Sequence, residues 1–132
     1  MSSKKEVFEN LRDLFGKNTL IARAEQGKSD DELDYKYLRK SLYNALKDTN
    51  TLDPDYLDNS RKFLAKWHML NGLGYTLLVY LDEHDSPLQE CYTALTFVMR
   101  ADKVPGLEDM FEDYVDGGLI YRALIRVCKL LK

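Results

Sequence analysis

At 132 residues, 45% of them apolar and 31% charged, the chain is long enough to bury a core without disulfides or metal, and too apolar to stay disordered. Nineteen basic against 22 acidic side chains leave a net charge of −3, so no global field draws it to nucleic acid or to an anionic membrane. The two cysteines, Cys91 and Cys128, sit in apolar patterns with no Cys or His at metal-ligand spacing. They read as buried free thiols of a reducing compartment. The polar start Met1-Ser2-Ser3-Lys4-Lys5-Glu6 is followed by no hydrophobic signal segment, which makes the cytoplasm the expected location.

Val7, Phe8, Leu11, Leu14 and Phe15 recur at helical spacing and predict a first amphipathic helix over 4–15, with Gly16 as its stop. A short second helix over 18–26 closes at Gly27. Ser29-Asp30-Asp31-Glu32 reads as a capping box, in which the serine takes a free N–H of the first turn and the glutamate reaches back, so a long helix is expected over 30–48. Tyr35, Leu38, Leu42, Ala45 and Leu46 share its apolar face, which leaves Tyr37 and Tyr43 off it, either touching neighbouring helices at its margins or standing as amphipathic side chains available to a partner. Thr49-Asn50-Thr51 breaks the pattern, and Asp53-Pro54 restarts it as cap and first helical residue.

Residues 61–81 form the longest apolar stretch and carry the only tryptophan, Trp67. The second half is greasy on every side, yet it falls well short of the roughly 20 apolar residues a bilayer crossing needs. It is expected to be a central core helix, with Asn71-Gly72-Leu73-Gly74 either a bend or the place where another helix approaches closely. Ser86-Pro87-Leu88-Gln89 is a further cap signal, and the helix after it places Leu88, Cys91, Tyr92, Leu95, Val98 and Met99 on one side and Phe97 on the other, so it is expected to be buried on more than one face. After the break at Val104-Pro105-Gly106 comes a stripe of Leu107, Met110, Phe111, Tyr114 and Val115, backed by five acidic residues. Gly117-Gly118 then turns the chain into a mostly apolar last helix over 119–132, with Arg122, Arg126 and Lys129 as a narrow basic stripe. The sum is an all-α, single-domain bundle of six or seven helices spanning 1–132 around the central apolar helix.

Three constellations carry chemistry. Arg61 and His68 lie almost two turns apart, on one side of the central helix. The pair resembles the spaced Arg and His signature of HEPN-type ribonucleases, which cleave RNA without metal across a dimer. That resemblance implies His68 handling a proton, Arg61 holding the scissile phosphate, and a homodimer. Asp82-Glu83-His84-Asp85 offers four polar groups in a row, but consecutive side chains diverge, so it reads as a polar helix end rather than a metal site. Glu108, Asp109, Glu112, Asp113 and Asp116 form an acidic face that either flanks the contact with the basic stripe of the last helix or suits a basic protein surface. The helix-glycine-helix layout around Gly117-Gly118 does not fit DNA reading, because the second helix opens with Leu119-Ile120-Tyr121.

Gly-rich phosphate loops, nucleophile elbows, zinc-protease pairs and CxxC pairs are missing. The reading is therefore a non-enzymatic helical protein that binds a protein partner, as an adaptor, inhibitor, immunity or anti-defence factor does. It needs no cofactor or metal and meets its partner through the acidic face, Tyr37 and Tyr43. The alternatives are the ribonuclease of Arg61 and His68, and a small-ligand pocket in the bundle near Trp67, Tyr75 and Tyr92.

Overall fold

The computed structural model describes residues 3–28, 33–62, 87–103, 105–107 and 109–131. Every regular element among them is helical. In chain order they are α1 (Lys4–Gly16), α2 (Leu20–Glu25), α3 (Tyr35–Asp48), α4 (residues 56–62), α5 (Leu88–Met99), a 3-10 turn (Ala101–Lys103), α6 (Met110–Asp116) and α7 (Leu119–Leu130). None of the described helices is long and apolar enough to cross a membrane. The capping box at 29–32 and the bend or close approach at 71–74 lie outside the described residues, as does all of the expected central helix beyond residue 62.

Helices α1, α2 and α3 each start where a side-chain oxygen replaces a missing backbone acceptor. Ser3 accepts from the Glu6 N–H at 3.1 Å, Thr19 from Ala22 at 3.2 Å, and Asp34 from Tyr37 at 3.1 Å. The last of these moves the start of α3: the expected helix over 30–48 begins at Tyr35, because Asp34 is the residue with extended backbone whose carboxylate caps the first turn. The far end of α3 stops as read. Thr49 Oγ1 donates to the Ala45 carbonyl at 2.7 Å, and Asn50 takes a left-handed φ of 57°.

Helix α1 ends at Gly16, as the sequence suggests, and the glycine has a tertiary role as well. It is the last helical residue of α1, and a Cβ built on it would come within 2.8 Å of the Tyr121 ring. The glycine lets α7 approach α1. Gly118, by contrast, serves as a turn residue, with φ of 78° at the entry to α7. Gly27 likewise closes α2 with φ of 70°.

The core joins Phe8, Leu11 and Phe15 of α1 to Leu38, Leu42 and Leu46 of α3, Cys91, Leu95 and Val98 of α5, Phe111 and Val115 of α6, and Ile120, Leu124 and Val127 of α7. Phe8 stacks on Tyr92 at 5.8 Å, and Phe15 meets Phe111 edge-on at 6.3 Å. Helix α5 is buried on almost every side, from Glu90 through Thr96 and on to Met99, as its apolar residues on opposite faces predict. Its geometric cap is Pro87, one residue later than the serine of the sequence motif, and Ser86 lies outside the described residues.

Asp53 ties the start of α4 to α5. Only 5% exposed, its carboxylate accepts from the Asp55 N–H at 2.9 Å, from Asn59 Nδ2 at 2.8 Å and from Thr93 Oγ1 at 2.6 Å, while its own N–H donates to Thr96 Oγ1 at 3.2 Å. Burial pushes this carboxyl up, but the hydrogen bonds from Asn59, Thr93 and the Asp55 backbone outweigh it and hold the group below the usual aspartate range. A depressed folded value means the stability it carries is fully present above about pH 4 and is lost as pH falls through the folded pKa. Urea titrations of wild type and Asp53→Ala are accordingly expected to differ by about 1–3 kcal/mol at pH 7 and to converge below pH 4.

Candidate functional site

Among the described residues, helix α3 offers the most distinctive outer surface. Its apolar face points into the core, and turning by 100° per residue sends the remaining side chains to two different flanks. Tyr37, Ser41 and Asn44 lean toward α1. Lys36, Arg39, Lys40 and Tyr43 lean toward the end of α5. The two tyrosines expected off the apolar face are exposed, Tyr37 by 57% and Tyr43 by 37%.

Each flank borders a cavity. Between α1 and α3 runs an open groove of about 460 Å³, with Val7, Leu11 and Leu14 from α1 facing Tyr37, Ser41, Asn44 and Ala45 from α3, and Asp48 as the only side chain with a full charge among its described lining residues. Between α3 and the 3-10 turn lies a cleft of about 540 Å³ lined by Lys36, Arg39, Lys40, Tyr43, Met99, Arg100 and Lys103. Two of its cations are held over rings: the Arg39 guanidinium lies 4.8 Å from the Phe111 centroid, and that of Arg100 lies 5.7 Å from Tyr56. The sequence reading missed this cleft, because its two halves are far apart in the chain. The available signal was the spacing of Lys36, Arg39 and Lys40, which puts three cations on one side of a helix.

The acidic residues near α6 do not act as one surface. Asp109, Glu112 and Asp113 are exposed. Asp116 turns inward instead, where its Oδ1 accepts from Arg23 Nη2 and, at 2.8 Å, from Tyr35 Oη. Arg23 is only 2% exposed, so Asp116 is the counter-charge of a buried guanidinium that links α2, α3 and α6. Glu108 lies outside the described residues. Asp109 and Asp113 also border a smaller cavity of about 350 Å³ beside Met110 and Tyr114, and burial raises the Tyr114 hydroxyl above its ordinary pKa.

Of the Arg61 and His68 pair, the structure describes only Arg61. Its side chain is 75% exposed on α4, with Nη1 3.5 Å from Asp58 Oδ1, a surface pair worth well under ~1 kcal/mol. His68, His84, Trp67, Tyr75 and the 82–85 segment lie outside the described residues. Tyr92, the third residue of the small-ligand alternative, is buried against Phe8.

Both cysteines are free thiols. Burial pushes Cys91 up to about 12, and it also raises Cys128, against an opposing pull from Arg12. Thiols so shifted stay protonated at neutral pH and make poor nucleophiles. Among the described residues no three His, Cys, Asp or Glu side chains are grouped so as to hold a metal ion. The chain matches no family model, no curated protein and no solved structure in the comparisons made.

Proposed function

We propose that this chain is a non-enzymatic module that binds a protein partner, and that the partner lays an apolar helix face into the groove between α1 and α3. The supporting observation is Tyr37, 57% exposed at the edge of a groove whose α1 side carries Val7, Leu11 and Leu14. A large amphipathic ring beside an apolar floor is the residue type that dominates protein interfaces. The chemistry of the groove selects the occupant. Apart from Asp48 its described lining is apolar or neutral, so it suits leucine-like anchors with neutral polar neighbours rather than a charged strand. Helices α1 and α3, of 13 and 14 residues, give it a length of about 20 Å, enough for a partner helix of three to four turns.

An adaptor, an inhibitor, an immunity factor and an anti-defence factor would all use such a groove, and the partner decides among them. The free thiols favour a reducing location, which we take to be the cytoplasm. The test begins with the partner recovered on the tagged chain. In a titration with that purified partner, Tyr37→Ala is expected to weaken binding about tenfold or more, and Leu14→Lys to abolish it with the helical content unchanged. Wild-type affinity in both variants, with binding lost instead on charge reversal of Glu112 and Asp113, would move the interface to α6 and refute the groove.

A further inference from the structure

We propose that the helix received between α1 and α3 carries a lysine or arginine just beyond one end of its apolar face, set against Asp48. The inference rests on the groove reading and names what that groove selects. On α3 the described lining runs from Tyr37 through Ser41, Asn44 and Ala45 to Asp48, the last residue of the helix. From position 37 to position 48 an α-helix rises about 16 Å. The carboxylate therefore stands at one end of the groove rather than along its floor.

Charge complementarity identifies the group that meets it. Asp48 is exposed, and it is the only described lining residue with a full charge. Among the described residues no cation forms an ion pair with it. It also lies at the C-terminal end of α3, where the helix dipole is negative, so both contributions favour a positive group and oppose a carboxylate. The carbonyls of Ala45, Leu46 and Lys47 already accept from the N–H groups of Thr49, Thr51 and Asn50. A partner meets charge at this end rather than unfilled backbone acceptors of that turn. Over the floor the requirement reverses. Val7, Leu11, Leu14 and Ala45 offer no side-chain acceptor, so a lysine in the middle of the partner's apolar face would lose water without gaining a partner. The groove thus admits a cation at one end and excludes it from the middle, which fixes the register of the bound helix more than it adds to affinity.

The experiment is fluorescence anisotropy on the full chain with stapled helical peptides as probes. Each peptide carries leucines at i, i+4 and i+7 with alanine and glutamine elsewhere. Three of them differ only one turn beyond the last leucine, where they hold lysine, glutamine or glutamate, and a fourth replaces the middle leucine with lysine. The end-lysine peptide is expected to bind about fivefold more tightly than the glutamine one at low salt, with the advantage shrinking at high salt. The glutamate peptide should bind more weakly than the glutamine one, and the middle-lysine peptide weakest of all. Asp48→Asn should remove the advantage of lysine, and Asp48→Lys should transfer it to glutamate, with circular dichroism and melting temperature unchanged because the side chain is exposed. Tyr37→Ala should weaken the three end variants alike. Equal affinities for those three, still weakened by Tyr37→Ala, would overturn the role of Asp48 and leave the groove standing. No binding by any peptide, or binding untouched by both Tyr37→Ala and Leu14→Lys, would remove the groove and this inference together. A chain that dimerises by itself and ceases to do so as Leu14→Lys would seat a second copy there in place of the cation-bearing helix.

Discussion

Phe111→Ala is expected to lower the free energy of unfolding by about 3–5 kcal/mol, read from urea titrations at neutral pH. Phe111 is completely buried at the junction of α1, α3 and α6. Its loss removes the edge-on contact with Phe15 at 6.3 Å and the surface over which Arg39 sits at 4.8 Å. The transfer of the ring from water accounts for part of the cost. The cavity left behind accounts for the rest, because its neighbour Phe15 is itself almost fully buried and has little room to collapse inward. Against a total stability of about 5–15 kcal/mol, such a loss leaves the variant close to unfolding at 37 °C. Phe111→Leu, which keeps most of the volume, is expected to cost about half as much or less.

The second large effect is expected at Arg23. Removing one partner from a buried ion pair costs about 3–5 kcal/mol when the other charge cannot reach water. Asp116 is one-third exposed and can be rehydrated, so Arg23→Met is expected to cost less, about 2 kcal/mol. Arg23→Met combined with Asp116→Asn should recover part of the loss, since no uncompensated carboxylate is then left behind. Tyr35 belongs to the same cluster. Burial, followed by its hydrogen bond to Asp116, pushes its hydroxyl up to about 12, so the stability it contributes is intact below about pH 10 and is lost as pH rises toward 12. In a variant lacking Asp116 that alkaline loss should shrink.

These two clusters also mark what the sequence could and could not show. Phe111 was legible: it sits in a stripe with Met110, Tyr114 and Val115 at helical spacing, and one face of a short helix next to glycines has only the core to meet. The burial of α5 was legible too, because Phe97 lies opposite Cys91 and Leu95 and a helix apolar on opposite sides must be enclosed. Asp53 announced itself as a cap beside Pro54.

Arg23 was not legible. Within Leu20-Ile21-Ala22-Arg23-Ala24-Glu25 an arginine reads as the solvated side of a short helix, while Ile21, an apolar residue, is 73% exposed. Only the arrival of Asp116 and Tyr35 from distant parts of the chain makes burial of that guanidinium tolerable. The start of α3 was ambiguous because Ser29 and Asp34 are both chemically competent caps, and nothing local ranks them. Gly16 met the pattern of a helix stop, and its close approach to Tyr121 is a tertiary fact. The basic cleft failed to appear for the same reason as Arg23: Arg100 and Lys103 acquire meaning only when α5 delivers them beside Lys36, Arg39 and Lys40.

With respect to function, Tyr37 and Tyr43 were identifiable as surface residues from their angular positions on α3. Their separation into a mostly neutral groove and a cationic cleft required the neighbouring helices. The measurement that bears most directly on the proposed role is site-specific photo-crosslinking in the complex with the recovered partner, with the reactive side chain placed at position 37 in one sample and at position 112 in another. The groove reading predicts a covalent adduct from position 37 and none from position 112. Adducts from position 112 alone would contradict it and place the partner on the acidic side of α6.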